Sequence, residues 1–177
     1  VSVLVDGVWV DANAAAYEGT VAADNYDGTQ DDDVFSFDNG TFSVLGDDTI
    51  DGGVGNLDTL AFGSAIDFSN DDAFENVSNV DRVTLANGAN LLTLGINTDA
   101  AGITTVVGGT GNDTIDGSLS YENLELIGGD GNDQLWAGSG DDTLTGDAGD
   151  DTFAFNSENL DFNDIVAGGV GNDILTF

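Results

Sequence analysis

The chain has 177 residues, enough for one domain or one repeat array with a buried core. Its formal net charge is −33, from 34 acidic residues against the single cation Arg82, so no basic patch exists to meet nucleic acid or an anionic membrane. With no Cys and no His, disulfides and the usual zinc ligands are absent, and only hard, oxygen-only coordination of a metal remains open.

All but five of the acids are aspartate, which favours turns and compact oxygen-ligand sites over solvated helices. Such charge and 26 glycines would suit a disordered chain, but 40% apolar residues with ten Phe are more than a disordered tail carries. No apolar run reaches the ~18 residues of a spanning helix, so membrane insertion is not expected. The opening VSVLVDGVWVD has no basic lead and carries Asp6, so it does not read as a signal peptide; the segment is expected to be processed or excerpted, or exported by another signal.

In chain order, residues 1–30 differ from the rest. VSVLV and VWVD flank Asp6-Gly7 and predict a β-hairpin. ANAAAYE adds one helical turn. Two readings stand: a cap over the first coil of a repeat array, or a strand whose Val1, Val3, Val5 and Val8 pair with a neighbouring molecule.

From residue 31 the pattern G-G-x-G-x-D-x-U-x emerges, U being a large apolar residue. DGTQDDDVF (27–35) is a loose trace with Asp33 in the aspartate place, and LGDDTID (45–51) resembles the back of a copy. GGVGNLDTL (52–60) has Leu57 inserted. Residues 61–107 lack glycine turns but keep apolar centres near Leu85, Leu94 and Val106; VDRVTLANG, NLLTLGI and ITTVVGG read as strands. GGTGNDTID (108–116), GGDGNDQLW (128–136) and GGVGNDILT (168–176) match at every fixed position. AGSGDDTLT (137–145) and GDAGDDTFA (146–154) each miss one glycine, while YENLELIGG and NLDFNDIVAGG fill the remaining half-coils.

These nonapeptides resemble the RTX, or hemolysin-type, family of calcium-binding repeats in secreted bacterial proteins. The resemblance implies an all-β fold, a right-handed parallel β-roll (a β-solenoid), with several bound Ca²⁺ ions, three or more. It also implies that fifth-place side chains contribute ligands with the turn carbonyls; here these are Asn112, Asn132, Asp141, Asp150 and Asn172.

The residues support the same picture independently. Glycines let the backbone turn tightly with carbonyls inward, and x-U-x sends Ile115, Leu135, Leu144, Phe153 and Leu175 to one face as core. Trp136, in the ninth place, should face outward. Two nonapeptides close a coil of about 18 residues, so carboxylates one coil apart stack at about 4.8 Å. The intervals Asp113–Asp133, Asp133–Asp151 and Asp151–Asp173 are 20, 18 and 22, each one coil, with calcium expected in each of the three gaps. Asp142 falls on the opposite edge, beside the turns near Glu122–Asn123 and Asp161–Asp164. Asp48 and Asp58 are weaker candidates, because Leu57 disturbs that turn. Residues 31–177 then form one continuous roll with irregular central coils, roughly eight coils and on the order of 40 Å long.

For function, the missing His, Cys and Lys remove most nucleophiles and general bases, and no phosphate-binding or dinucleotide fingerprint occurs, so an enzyme is not expected. ADNYDG is no EF-hand, having Ala23 in an acidic place. The expectation is a module that folds on calcium outside the bacterial cell after type I secretion, extracellular or at the cell surface. It would serve a structural or surface-assembly role (S-layer, adhesin or filament) through homotypic assembly or with neighbouring domains. The alternative is the secretion and folding appendage of an enzyme. Ice binding is weaker, since the third places Thr110, Asp130, Ser139, Ala148 and Val170 form no threonine ladder.

Overall fold

The computed structural model describes residues 2–5, 8–11, 25–28, 30–37, 49–156 and 159–177. Short strands separated by glycine and aspartate turns wind into a solenoid whose successive coils pair in parallel. The first sheet begins with the hairpin β1 (Ser2–Val5) and β2 (Val8–Asp11), paired in register from Ser2↔Asp11 to Val5↔Val8. β1 also pairs antiparallel with β3 (Asn25–Asp27), so β2 is the outer strand, and β3 continues in parallel into later coils. The parallel stack therefore already includes a strand from within residues 1–30. The segment ANAAAYE lies outside the described residues.

Two long sheets face each other across the core. One contains β4 (Val34–Phe37), β6 (Thr59–Phe62), β9 (Arg82–Thr84), β11 (Thr105–Thr110), β13 (Glu125–Asp130), β15 (Thr143–Ala148) and β17 (Ile165–Val170). The other contains β7 (Asp67–Phe68), β10 (Leu91–Thr93), β12 (Thr114–Asp116), β14 (Gln134–Trp136), β16 (Thr152–Ala154) and β18 (Ile174–Thr176). β5 (Thr49–Asp51) and β8 (Val77–Ser78) extend the first sheet beyond β3.

Among the described residues this makes about six turns, where eight were expected. The difference lies in coil size. Equivalent residues in the early coils are 23 to 25 apart, because these coils carry a third strand from the first sheet. After α1 (Ile96–Ala101) that strand is gone, and coils shorten to 18 to 22 residues. The pattern of NLLTLGI predicts β throughout, whereas only Leu91–Thr93 is strand and Ile96 begins the helix. Its six residues are held at both ends. The Gly95 N–H donates to the Thr98 hydroxyl at 2.7 Å, and Gly102 closes the other end with φ +92°. The Asn97 N–H donates to Asp71 Oδ2 at 2.7 Å, anchoring the helix to the neighbouring coil.

The core is built from inward columns at strand centres. Phe35, Leu60, Val83, Val106, Leu126 and Leu144 stack in register in one long sheet. Leu92, Ile115, Leu135 and Phe153 stack in the other. Each fully buried side chain of this kind contributes about 1.5–3 kcal/mol. The wider early coils are filled by aromatics: Phe37 stacks on Phe62 at 6.0 Å, and Phe62, Phe68 and Phe74 follow edge-to-face. Leu175 departs from the expected burial. It is 43% exposed, because β18 is paired only with β16. Trp136 stands on the outer face of β14, opposite the inward Leu135, and is half-buried there.

Candidate metal centre

The coils turn through glycine- or aspartate-bearing corners, and the same hydrogen-bond device recurs along two edges of the solenoid. The sixth-place side chain reaches back one coil and accepts the backbone N–H of its counterpart. On one edge Asp133 Oδ1 accepts from Asp113 N (2.7 Å), Asp151 Oδ1 from Asp133 N (2.8 Å) and Asp173 Oδ1 from Asp151 N (3.1 Å). Asp113, Asp133, Asp151 and Asp173 thus share one edge, one coil apart. The row continues past Asp113 to Asn90.

On the other edge Asp142 accepts from Leu124 N (2.8 Å) and Asp164 from Asp142 N (2.8 Å). Asp58 stands on this same edge, accepting from Asp33 N at 2.7 Å, and Asp81 in turn accepts from Asp58 N at 2.7 Å. The inserted Leu57 is absorbed by the turn: Asn56 and Leu57 N–H groups both donate to Asp32 Oδ1. Asp48 lies outside the described residues.

Fifth-place side chains run a second ladder in the reverse sense, accepting from the following coil. Asn112 accepts from Asn132 N, Asn132 from Asp150 N and Asp150 from Asn172 N, at 2.8–2.9 Å. Asp141 accepts from the Asn163 amide at 3.1 Å. These side chains are exposed, so their visible role is to lock coil to coil.

Asp81 and Asn90 are row members that the nonapeptide pattern does not mark, and Asp164 belongs to the Asp161–Asp164 turn expected beside Asp142. A signal for them was present: each stands two residues before an inward apolar side chain, as Asp113 stands before Ile115. The corresponding pairs are Asp81 and Val83, Asp164 and Val166, and Asn90 and Leu92.

Five of the sixth-place carboxylates, Asp58, Asp113, Asp133, Asp142 and Asp151, are nearly inaccessible, at most 2% exposed, whereas Asp81 and Asp164 are half-buried and Asp173 is exposed. Burial pushes Asp133 up to about 6, with Asp113 and Asp151 adding repulsion. Burial likewise raises Asp58 to about 6, helped by Asp33 and Asp81, and Asp142 to about 6, helped by Asp164. Asp151 is raised for the same reason, with Asp173 and Asp147 beside it. Among the described residues, the second oxygens of Asp133 and Asp151 are buried without a hydrogen-bond partner. A buried acceptor left unpaired costs about 1–3 kcal/mol, and more when charged. The backbone keeps room around these atoms. A Cβ on Gly128 would overlap Asp133 Oδ2, and one on Gly146 would overlap Asp151 Oδ2.

An oxygen-seeking cation fits this donor set, because it would satisfy the orphaned oxygens and offset the repulsion along the row. Among the described residues no three acidic side chains converge on one point.

A family model described as the RTX calcium-binding nonapeptide repeat (4 copies) matches residues 45–67, 100–119, 125–159 and 160–176, together more than half of the chain. No curated protein and no solved structure matches it. Glycine corners, stacked aspartates and the family match agree. The chain belongs to the RTX calcium-binding nonapeptide-repeat family, and it is a calcium-binding β-solenoid module.

Proposed function

We propose that calcium is the folding switch of this module, and that it works outside the bacterial cell as a structural or surface-assembly element reached by type I secretion. The observation that supports this most is the row of buried carboxylates, each with one oxygen tied to the neighbouring coil and, in Asp133 and Asp151, the other left unpaired. Two carboxylates about 4.8 Å apart repel by roughly 3 kcal/mol at an effective dielectric of ~20, so each stacked pair opposes folding until a cation intervenes. Calcium would be held along Asp113, Asp133, Asp151 and Asp173, with Asp142 and Asp58 on the other edge. In the bound state it supplies charge neutralisation and oxygen coordination. In cytosol, where calcium is scarce, the chain stays unfolded and exportable; outside, it folds.

Catalysis has no support in this reading. The well-placed acids are engaged in the coil-to-coil ladders, and no His, Cys or Lys is present to act with them. Electron microscopy in millimolar calcium and after chelation tests the assembly role. Calcium-dependent sheets or fibres are expected. Single monodisperse particles in both conditions would favour a secretion and folding appendage of an enzyme instead.

A further inference from the structure

Asn90 occupies the sixth place of its turn, where the four following coils carry Asp113, Asp133, Asp151 and Asp173. The columns match position by position: a Cβ on Gly109 would meet Ala86 O, and one on Gly111 would meet Gly88 O. Ala86 and Gly88 are therefore the second- and fourth-place residues of the Asn90 turn. The side chain is 3% exposed. Its Oδ1 accepts from Ile66 N at 3.0 Å, as the aspartates accept from the coil before them. Its Nδ2 lies 2.8 Å from Ala86 O, 2.9 Å from Gly88 O and 2.7 Å from Asp113 Oδ1. The orientation is fixed chemically, since the reverse amide would set an oxygen against three oxygens and an NH₂ against the Ile66 N–H.

We propose that the Asn90 amide nitrogen is a built-in substitute for a metal ion. It gathers the two turn carbonyls and the next coil's carboxylate, so no calcium enters this gap and the ladder on this edge ends at Asp113. Where the other turns place a carboxylate oxygen that needs a cation, this one places an NH₂ that donates to the same oxygens. The joint between the wide early coils and the narrow later ones is thereby closed without calcium. The proposal rests on the calcium ladder proposed above.

The test is calcium bound per chain at saturation, measured by equilibrium dialysis and atomic emission, for the wild type and Asn90→Asp. Asn90→Asp is expected to bind one more ion than the wild type and to need more calcium to fold. Equal, non-zero stoichiometry would overturn the substitute role and leave the calcium ladder standing, whereas no binding by either protein would overturn both. If Asn90→Asp does not fold, the wild type decides. In the calcium-loaded protein the Asn90 side-chain NH₂ should exchange slower than that of exposed Asn156 by about tenfold or more. Equal exchange would refute the proposal.

Discussion

At the scale of single residues, the sixth-place aspartates do two jobs with their two oxygens. One oxygen accepts a backbone N–H from the adjacent coil; the charge is the part that calls for a cation. Asp151→Asn keeps an oxygen for the Asp133 N–H but removes that charge. It is expected to weaken calcium binding by about tenfold or more, roughly 1.4 kcal/mol or above, while leaving the calcium-free chain no less folded. Asp151→Ala, which removes the hydrogen bond too, should be worse in both conditions; calcium titrations followed by circular dichroism separate the two. The raised acids also set a pH dependence. Asp58, Asp133 and Asp142 titrate near 6 when folded, against 3.8 for an unperturbed aspartate. The folded, calcium-free form therefore holds more protons than the unfolded chain between these values. Its relative stability is greatest below about 4 and is lost as pH rises through about 6. Calcium-stripped protein is expected to gain β signal on acidification from pH 7 towards 4; a flat or opposite response would contradict this.

At the scale of the element, the turn depends on backbone passing directly over backbone. Gly131 has φ +145°, and a Cβ there would collide with the Gly111 carbonyl of the preceding coil. Gly131→Ala is expected to cost roughly 2 kcal/mol or more, seen as a lowered melting temperature in calcium. Gly88 also has positive φ, but a Cβ there would meet only Ala65 Cβ, at 3.5 Å. Gly88→Ala should cost only about 1–2 kcal/mol of backbone strain. These corners were the most legible part of the sequence, because close backbone approach leaves a glycine signature that stands in direct phase. The intervals of 20, 18 and 22 between stacked aspartates follow from it. The early coils were not legible in the same way. Their corners at Asp58 and Asp81 use aspartate and asparagine side chains in varied spacing, and a third strand lengthens each turn. Six residues around Asn97 become helix through caps and an anchor on Asp71, a distant residue that local pattern does not reveal.

For the whole molecule, the apolar columns are narrow and the acids lie in rows along the corners beside them. With net charge −33, even about six calcium ions would leave the folded surface strongly acidic. Simple salt screens such charge over a Debye length of about 8–10 Å at ordinary ionic strength, but it supplies no ligand field for buried oxygens. Magnesium demands near-octahedral geometry and sheds water reluctantly. Sodium chloride or magnesium alone is therefore expected to leave the chain largely unfolded at concentrations where calcium folds it. Far-UV circular dichroism of the protein, stripped of metal at pH 7.5 and then titrated with calcium, tests the central claim most directly. The account predicts a coil spectrum in chelator and a cooperative change to β structure in millimolar calcium, reversed by renewed chelation. A β spectrum already complete in chelator and unchanged by calcium would contradict it.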